Sequence, residues 1–144
     1  MSPATYIAKH LTARQALKLH DFDPGVTTVV AAEWRPIAGF RRFLAAFFRT
    51  IGTSAVTFDI AVATDASGTG ATVVVAHAVA SEPDAVGDQI FLECDAEQMR
   101  HALAAATHWS PRASVAIGTD EGVMLTLEAE PFYARDGLTA DIIA

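Results

Sequence analysis

Residues 54–79 read SAVTFDIAVATDASGTGATVVVAHAV, and this stretch decides the fold. Val56, Phe58, Ile60 and Val62 alternate with Thr57, Asp59, Ala61 and Ala63. A period of two predicts a strand with one buried face and one that meets water. The run stops at Asp65-Ala-Ser-Gly-Thr-Gly, residues that accept turn geometry. It restarts at Ala71 as ATVVVAHAV, whose β-branched side chains suit a pleated surface. Two such strands around a Gly-rich turn predict a β-hairpin. The turn is not a phosphate loop, because no Lys follows the glycines and no helical pattern opens after them. It would hold a calcium ion only if further acids converged on it.

Upstream, Phe40, Phe43, Leu44, Phe47, Phe48 and Ile51 recur at helical spacing, with Arg41, Arg42 and Arg49 on the wet side. Read as a strand, the same segment puts Phe43, Ala45 and Phe47 on one face and Leu44, Ala46 and Phe48 on the other. That pattern works if both faces are covered. Pattern alone favours the helix. Before it, Val26 to Ala32 reads as a strand, and Trp34 to Ile37 continues extended around Pro36, an edge or a break in pairing. Residues 1–20 fit either a helix with Ile7, Leu11 and Leu17 on one face, or an arm ordered against a neighbour.

Downstream, Ser81 to Asp88 is a polar loop and Gln89 to Cys94 a short buried strand. Asp95 is placed as a helix N-cap, with alanine-rich sequence to carry a short helix near 95–105. Pro111 interrupts the next run. Ala113, Val115 and Ile117 alternate, as do Val123, Leu125 and Leu127, which the pattern turns inward with Thr126 and Glu128 outward. These last two strands read as a second hairpin. The prediction is a mainly β, single-domain antiparallel β-sandwich, jelly-roll-like, with one short helix and extended terminal arms. The expected division is an N-terminal arm over 1–25, the sandwich over 26–131 and a tail over 132–144.

Composition narrows the function classes. The net charge is −7, and acidity argues against nucleic-acid binding. The basic residues concentrate in the first 50, where Lys9, Arg14, Lys18, Arg35, Arg41, Arg42 and Arg49 face only Asp21, Asp23 and Glu33. No apolar run approaches the roughly 20 residues of a membrane span, and no signal peptide or membrane partner is expected. Cys94 is the single cysteine, so no internal disulfide or Cys-pair metal site is available. Flanked by Glu93 and Asp95, it reads as a buried, inert thiol. His10, His20, His77, His101 and His108 make no ligand-spaced pair. Glu82, Asp84 and Asp88 share a loop, where carboxylates are ordinarily solvated. No catalytic, cofactor-binding or metal-binding residue is therefore assigned, and no cofactor is expected.

Trp34 to Val75 carries a resemblance. Trp34, Ile37, Phe40, Phe43 and Ala45 lead into a Gly-containing turn, and an alternating strand ends in Ala63-Thr-Asp-Ala-Ser-Gly-Thr-Gly-Ala71. Ala96-Glu-Gln-Met99 and, loosely, Pro131-Phe-Tyr133 follow. The pattern resembles small virion structural proteins from the head and tail gene clusters of tailed bacteriophages. The resemblance implies a non-enzymatic coat component in many copies, and that Phe40 to Ile51 is a strand, which is the reading adopted. The expected role is head-associated and capsid-decorating, as a homo-oligomer docked on another phage coat protein, the major capsid protein. The place of action would be the virion, assembled in the bacterial host cytoplasm. The alternatives are a tail, neck or fibre-attachment protein, or a ligand-binding β-barrel or enzyme using the acidic loops. Hydrophobic residues make up 51% of the chain, more than a lone small sandwich readily hides. The apolar residues without an obvious place in it are Tyr6, Ile7, Leu11, Phe132, Tyr133, Ile142 and Ile143, which are the expected interface.

Overall fold

The computed structural model describes residues 17–77 and 85–131. The elements in chain order are β1 (Leu17–Phe22), β2 (Val30–Ala31), β3 (Arg35–Pro36), β4 (Phe40–Ile51), β5 (Val56–Ala63), β6 (Thr72–Ala76), β7 (Gln89–Asp95), α1 (Ala96–Ala102), β8 (His108–Val115) and β9 (Glu121–Pro131). One sheet has the order β1-β9-β4-β7; in the other, β2 and β3 both pair with β8, followed by β5 and β6. Every pairing is antiparallel. β5 and β6 form the expected hairpin, whereas β3–β4, β4–β5, β6–β7, β7–β8 and β8–β9 each cross from one sheet to the other. Alternation between two facing sheets is the connectivity of a jelly roll.

The alternation of the first strand in the 54–79 stretch holds in part: Thr57 is exposed, but Ala61 and Ala63, expected on the face that meets water, are buried. Val56, Phe58, Ile60 and Val62 are buried between the sheets. In the turn, the Asp65 carboxylate Oδ1 accepts from the Ser67 and Thr69 N–H groups at 2.8 and 3.1 Å. Gly68 has φ +82°, and a Cβ there would lie 2.5 Å from Nε1 of Trp34. Trp34 and the Gly-rich turn therefore touch, and a side chain at position 68 would displace the Trp34 ring.

β4 is a strand, not the helix its periodicity favours. It is central, paired with β7 on one side and β9 on the other, so its backbone groups are satisfied without a helix. Phe43, Ala45 and Phe47 face the core; Phe43 meets Trp109 edge-on at 5.1 Å and Phe47 meets Phe22 at 5.5 Å. Arg49, expected on the wet side, is among the most buried residues of the protein. α1 starts as predicted: Asp95 Oδ1 accepts from the Gln98 N–H and Gln98 Oε1 accepts from the Asp95 N–H, a capping box. It places Met99 in the core.

Several local expectations are corrected. Leu17–Phe22 pairs with β9 along its whole length, so the segment belongs to the sheet rather than to an arm or helix. Only Val30–Ala31 of the expected 26–32 strand pairs. β8 runs through Pro111 without a break. The Pro111 carbonyl accepts from Ala32 N–H at 3.0 Å, so the missing N–H falls where β2 and β3 are interrupted. β8 and β9 lie in opposite sheets and are not a hairpin. Ile117 is exposed beyond the end of β8, although Ala113 and Val115 are buried as expected. Finally, β9 is turned over: Met124, Thr126 and Glu128 point into the sandwich, and Val123, Leu125 and Leu127 point out.

Candidate interaction surface

The register of the β1-β9-β4-β7 sheet determines which residues share its outer face. Leu17, Leu127, Leu44 and Glu93 form one row; Leu19, Leu125, Ala46 and Phe91 the next; Asp21, Val123, Phe48 and Gln89 the third. Eight of these are large apolar side chains from four strands, with charged or polar residues only at the corners. Phe48 and Phe91 meet edge-on at 6.0 Å, which ties β4 to β7 on this face. Leu17, Leu19 and Phe91 are 57%, 63% and 57% exposed. The Arg42–Glu93 ion pair, 2.9 Å long and exposed, stands at one end.

The outer face of the other sheet is polar by comparison. Arg112 donates from Nε and Nη2 to both carboxylate oxygens of Asp59 at 2.9 Å. Thr57 and Ser114 bond beside them. Hydrophobic-in, polar-out patterning is what a sheet facing water on one side requires. The second sheet comes closer to it, with Val73 exposed on β6, and the first departs from it over four strands.

Among the described residues, two clusters of polar side chains lie inside the sandwich, one around Glu128 and one around Asp120. Glu128, wholly buried, accepts from Arg35 Nε at 2.8 Å and from Trp109 Nε1 at 3.3 Å, joining β9 to β3 and β8. Beside it, Lys18 and Glu33 pair at 2.7 Å and His20 Nε2 bonds the Thr126 hydroxyl at 3.2 Å. Burial first, then the Lys18 ammonium, holds the His20 pKa below its ordinary value. At the opposite end Asp120 Oδ2 accepts from Arg49 Nη1 at 2.9 Å and from the Ser54 N–H at 2.8 Å. The Ser54 hydroxyl donates to the same oxygen and the Ser54 carbonyl accepts from Arg49 Nη2. These bonds hold the β4–β5 turn against the β8–β9 turn.

The expected interface residues, Tyr6, Ile7, Leu11, Phe132, Tyr133, Ile142 and Ile143, lie outside the described residues, as do Glu82 and Asp84. Asp88 accepts from the Ala85 N–H at 3.1 Å and closes its own loop. Cys94 is buried, and burial followed by Asp95 and Glu93 pushes its thiol up to about 12. Among the described residues, no group of three His, Cys, Asp or Glu side chains is placed to hold a metal ion. The outer-face residues were not singled out in the sequence. Their visible signals are the apolar second face of β4, Leu44, Ala46 and Phe48, which demands a cover, and the leucines of β1.

No protein-family model matches the chain, and no curated protein matches it in sequence. Among solved structures, PirA is similar at 14% identity and TM-score 0.45, over 79% of this chain and 94% of that one. A pilus-forming Bacillus endospore appendage protein is similar at 11% identity and TM-score 0.42, over 79% of this chain and 86% of that one. The SPBc2 prophage-derived protein YomS is similar at 12% identity and TM-score 0.39, over 78% of this chain and 93% of that one. Likenesses this distant transfer no function to the chain.

Proposed function

We propose that this protein is a non-enzymatic structural component of a tailed-phage virion, head-associated, which self-associates and docks on the major capsid protein. The observation that carries the reading is the apolar outer face of the β1-β9-β4-β7 sheet. Fully covering a large aliphatic or aromatic side chain yields about 1.5–3 kcal/mol, so covering the exposed parts of Leu17, Leu19 and Phe91 yields about 3–5 kcal/mol in all. Association costs an estimated 4–15 kcal/mol in lost freedom of motion. A single contact through this face is therefore weak, and repetition over a lattice makes it effective. The sequence pattern of virion proteins over Trp34 to Val75 supports the same reading.

The test is quantitative mass spectrometry of purified particles from a producing host, with copy number scaled to the major capsid protein. Hundreds of copies per particle are expected. A few to a few dozen would move the protein to the neck or tail, and its absence from particles would overturn the proposal. Introducing Leu19→Asp together with Phe91→Asp should reduce occupancy at least tenfold while the circular dichroism spectrum stays that of a β-protein.

A further inference from the structure

We infer that the outer face of the β1-β9-β4-β7 sheet is the seat of residues 1–16 from a second copy of this chain. The inference rests on the self-association proposed above and names the two parts that meet.

The position and length of the segment fit. Residues 1–16 lead directly into Leu17, the first residue of the edge strand β1 and part of the first apolar row. From β1 to β7 the face is three strand spacings wide, about 14 Å. The ten residues from Ile7 to the start of β1 reach about 33 Å when extended, more than enough to cross it. Tyr6, Ile7 and Leu11 supply apolar side chains to cover Leu19, Leu125 and Phe91.

The charge fits as well. The segment contains Lys9 and Arg14 and no acid, in a chain whose net charge is −7. The corners of the face carry Asp21 on β1 and, on β7, Glu93, which is paired with Arg42. Opposite signs around an apolar centre set register more than affinity.

The sequence next to β1 points to another copy rather than the same one. To lie on its own sheet, the segment would have to reverse between Leu11 and Leu17. That interval is Thr12-Ala-Arg-Gln-Ala16, with no Gly, Pro, Asn or Asp, the residues that make tight reversals. A segment that continues away from the edge strand meets a neighbour instead, and each copy gives one segment and receives one.

Cysteine cross-linking in the full-length chain tests this, because buried Cys94 leaves an introduced thiol as the reactive one. Ile7→Cys and Phe91→Cys are placed on separate chains with different affinity tags, co-expressed, mildly oxidised and run without reductant. A mixed disulfide dimer is expected, at least tenfold above the yield from Ile7→Cys with Val73→Cys. Val73 is 44% exposed and belongs to the other sheet. Cross-linking only within one chain carrying both Ile7→Cys and Phe91→Cys would overturn the inference, because the segment would then cover its own sheet. A dominant homodimer of Phe91→Cys would overturn it in favour of two faces packed together. With no cross-link above the Val73→Cys control, light scattering decides what else falls. An oligomer would mean that the seat is wrong and self-association stands; a monomer would remove both.

Discussion

Replacing Asp120 by alanine is expected to cost about 3 kcal/mol of stability. The carboxylate Oδ2 receives bonds from Arg49 Nη1, the Ser54 N–H and the Ser54 hydroxyl, and the side chains of Arg49 and Asp120 are 0% and 6% exposed. Breaking a buried ion pair by removing one partner costs about 3–5 kcal/mol, because the other charge stays in surroundings that solvate it poorly. The lower end applies here, since the Arg49 guanidinium keeps the Ser54 and Ile51 carbonyls as acceptors. Urea unfolding followed by tryptophan fluorescence measures the loss, with an accompanying drop in Tm of about 10 °C for a domain of this size. Arg49→Met should cost less, about 2 kcal/mol, because Asp120 keeps both Ser54 donors. The double variant should fall short of the sum by about 1.5 kcal/mol or more, as coupled neighbours do.

The pH dependence supplies a second reading of the same site. The Ser54 hydroxyl first, then the Ser54 N–H and Arg49, hold the Asp120 carboxyl below its ordinary value of 3.8. A group held lower in the folded state contributes stability that is complete above the ordinary value and is lost as pH falls through the folded one. Asp120→Ala should therefore flatten the acid limb of the stability curve below pH 4. A cost below about 1 kcal/mol with an unchanged urea slope, or full additivity with Arg49→Met, would refute the claim that this pair locks the two turns.

Gly68→Ala should cost about 2 kcal/mol in the same urea assay, combining a left-handed backbone penalty with displacement of the Trp34 ring. An unchanged midpoint would mean that Trp34 and the Gly-rich turn do not depend on one another. Cys94 should resist an aromatic disulfide reagent at pH 7.4, reacting only as fast as the protein unfolds; stoichiometric labelling within minutes of mixing would contradict its burial. His20 should contribute a loss of stability as pH drops below 6.5. Burial, with Lys18 and Arg35 against Glu33, keeps its folded-state pKa below that value while the unfolded chain takes up the proton. His20→Asn should remove that part of the slope between pH 7.5 and 5.5, and an identical slope in the variant would exclude His20 as its source.

What could be read from the sequence depended on whether the signal was local. The β5–β6 hairpin, the Asp95 N-cap and the buried Cys94 follow from alternation, turn chemistry and capping within a few residues. β4 did not, because Phe40, Phe43, Phe47 and Ile51 satisfy a helical period by coincidence while the strand is apolar on both faces. Only its place between β7 and β9 decides the matter, and that is tertiary information. Pro111 reads locally as a break for the same reason: the gap between β2 and β3 that accommodates it is made by a distant segment. The charged core partners Arg49 and Glu128 were assigned to water because Asp120, Arg35 and Trp109 reach them only through the fold. For the candidate surface, the sequence offered the double-sided β4 and the leucines of β1, but no way of aligning them with Phe91 across two other strands.

β9 shows most clearly what the surface means. Slipping its register by one residue would bury Val123, Leu125 and Leu127 and release Thr126 and Glu128 to water. On hydrophobic grounds a free-standing monomer would gain from that exchange, yet the structure holds the opposite arrangement at several points. Gly122 packs so closely on β4 that a Cβ would lie 2.6 Å from the Phe47 ring and from the Phe48 carbonyl, so no side chain fits on that inner position. Two residues further along the same face, Met124 fills the core, and across the sandwich Arg35 and Trp109 bond the Glu128 carboxylate at Oε1. Burying a carboxylate with its partners in place is at best near neutral in stability. The arrangement therefore contributes specificity: it fixes β9 so that three branched side chains remain outside, in line with Leu17, Leu19, Leu44, Phe48 and Phe91. On the proposed self-association this is the face that is covered, and Leu125, at the centre of the middle row, is the position where a single charge should most disrupt what covers it. Leu125→Lys should accordingly change the unfolding free energy in urea by no more than about 1 kcal/mol, because the side chain lies on the outer face and is only partly buried, while abolishing oligomers in light scattering. A monomer destabilised by several kcal/mol would instead show that the face is part of the subunit's own core, and the argument from β9 would fail.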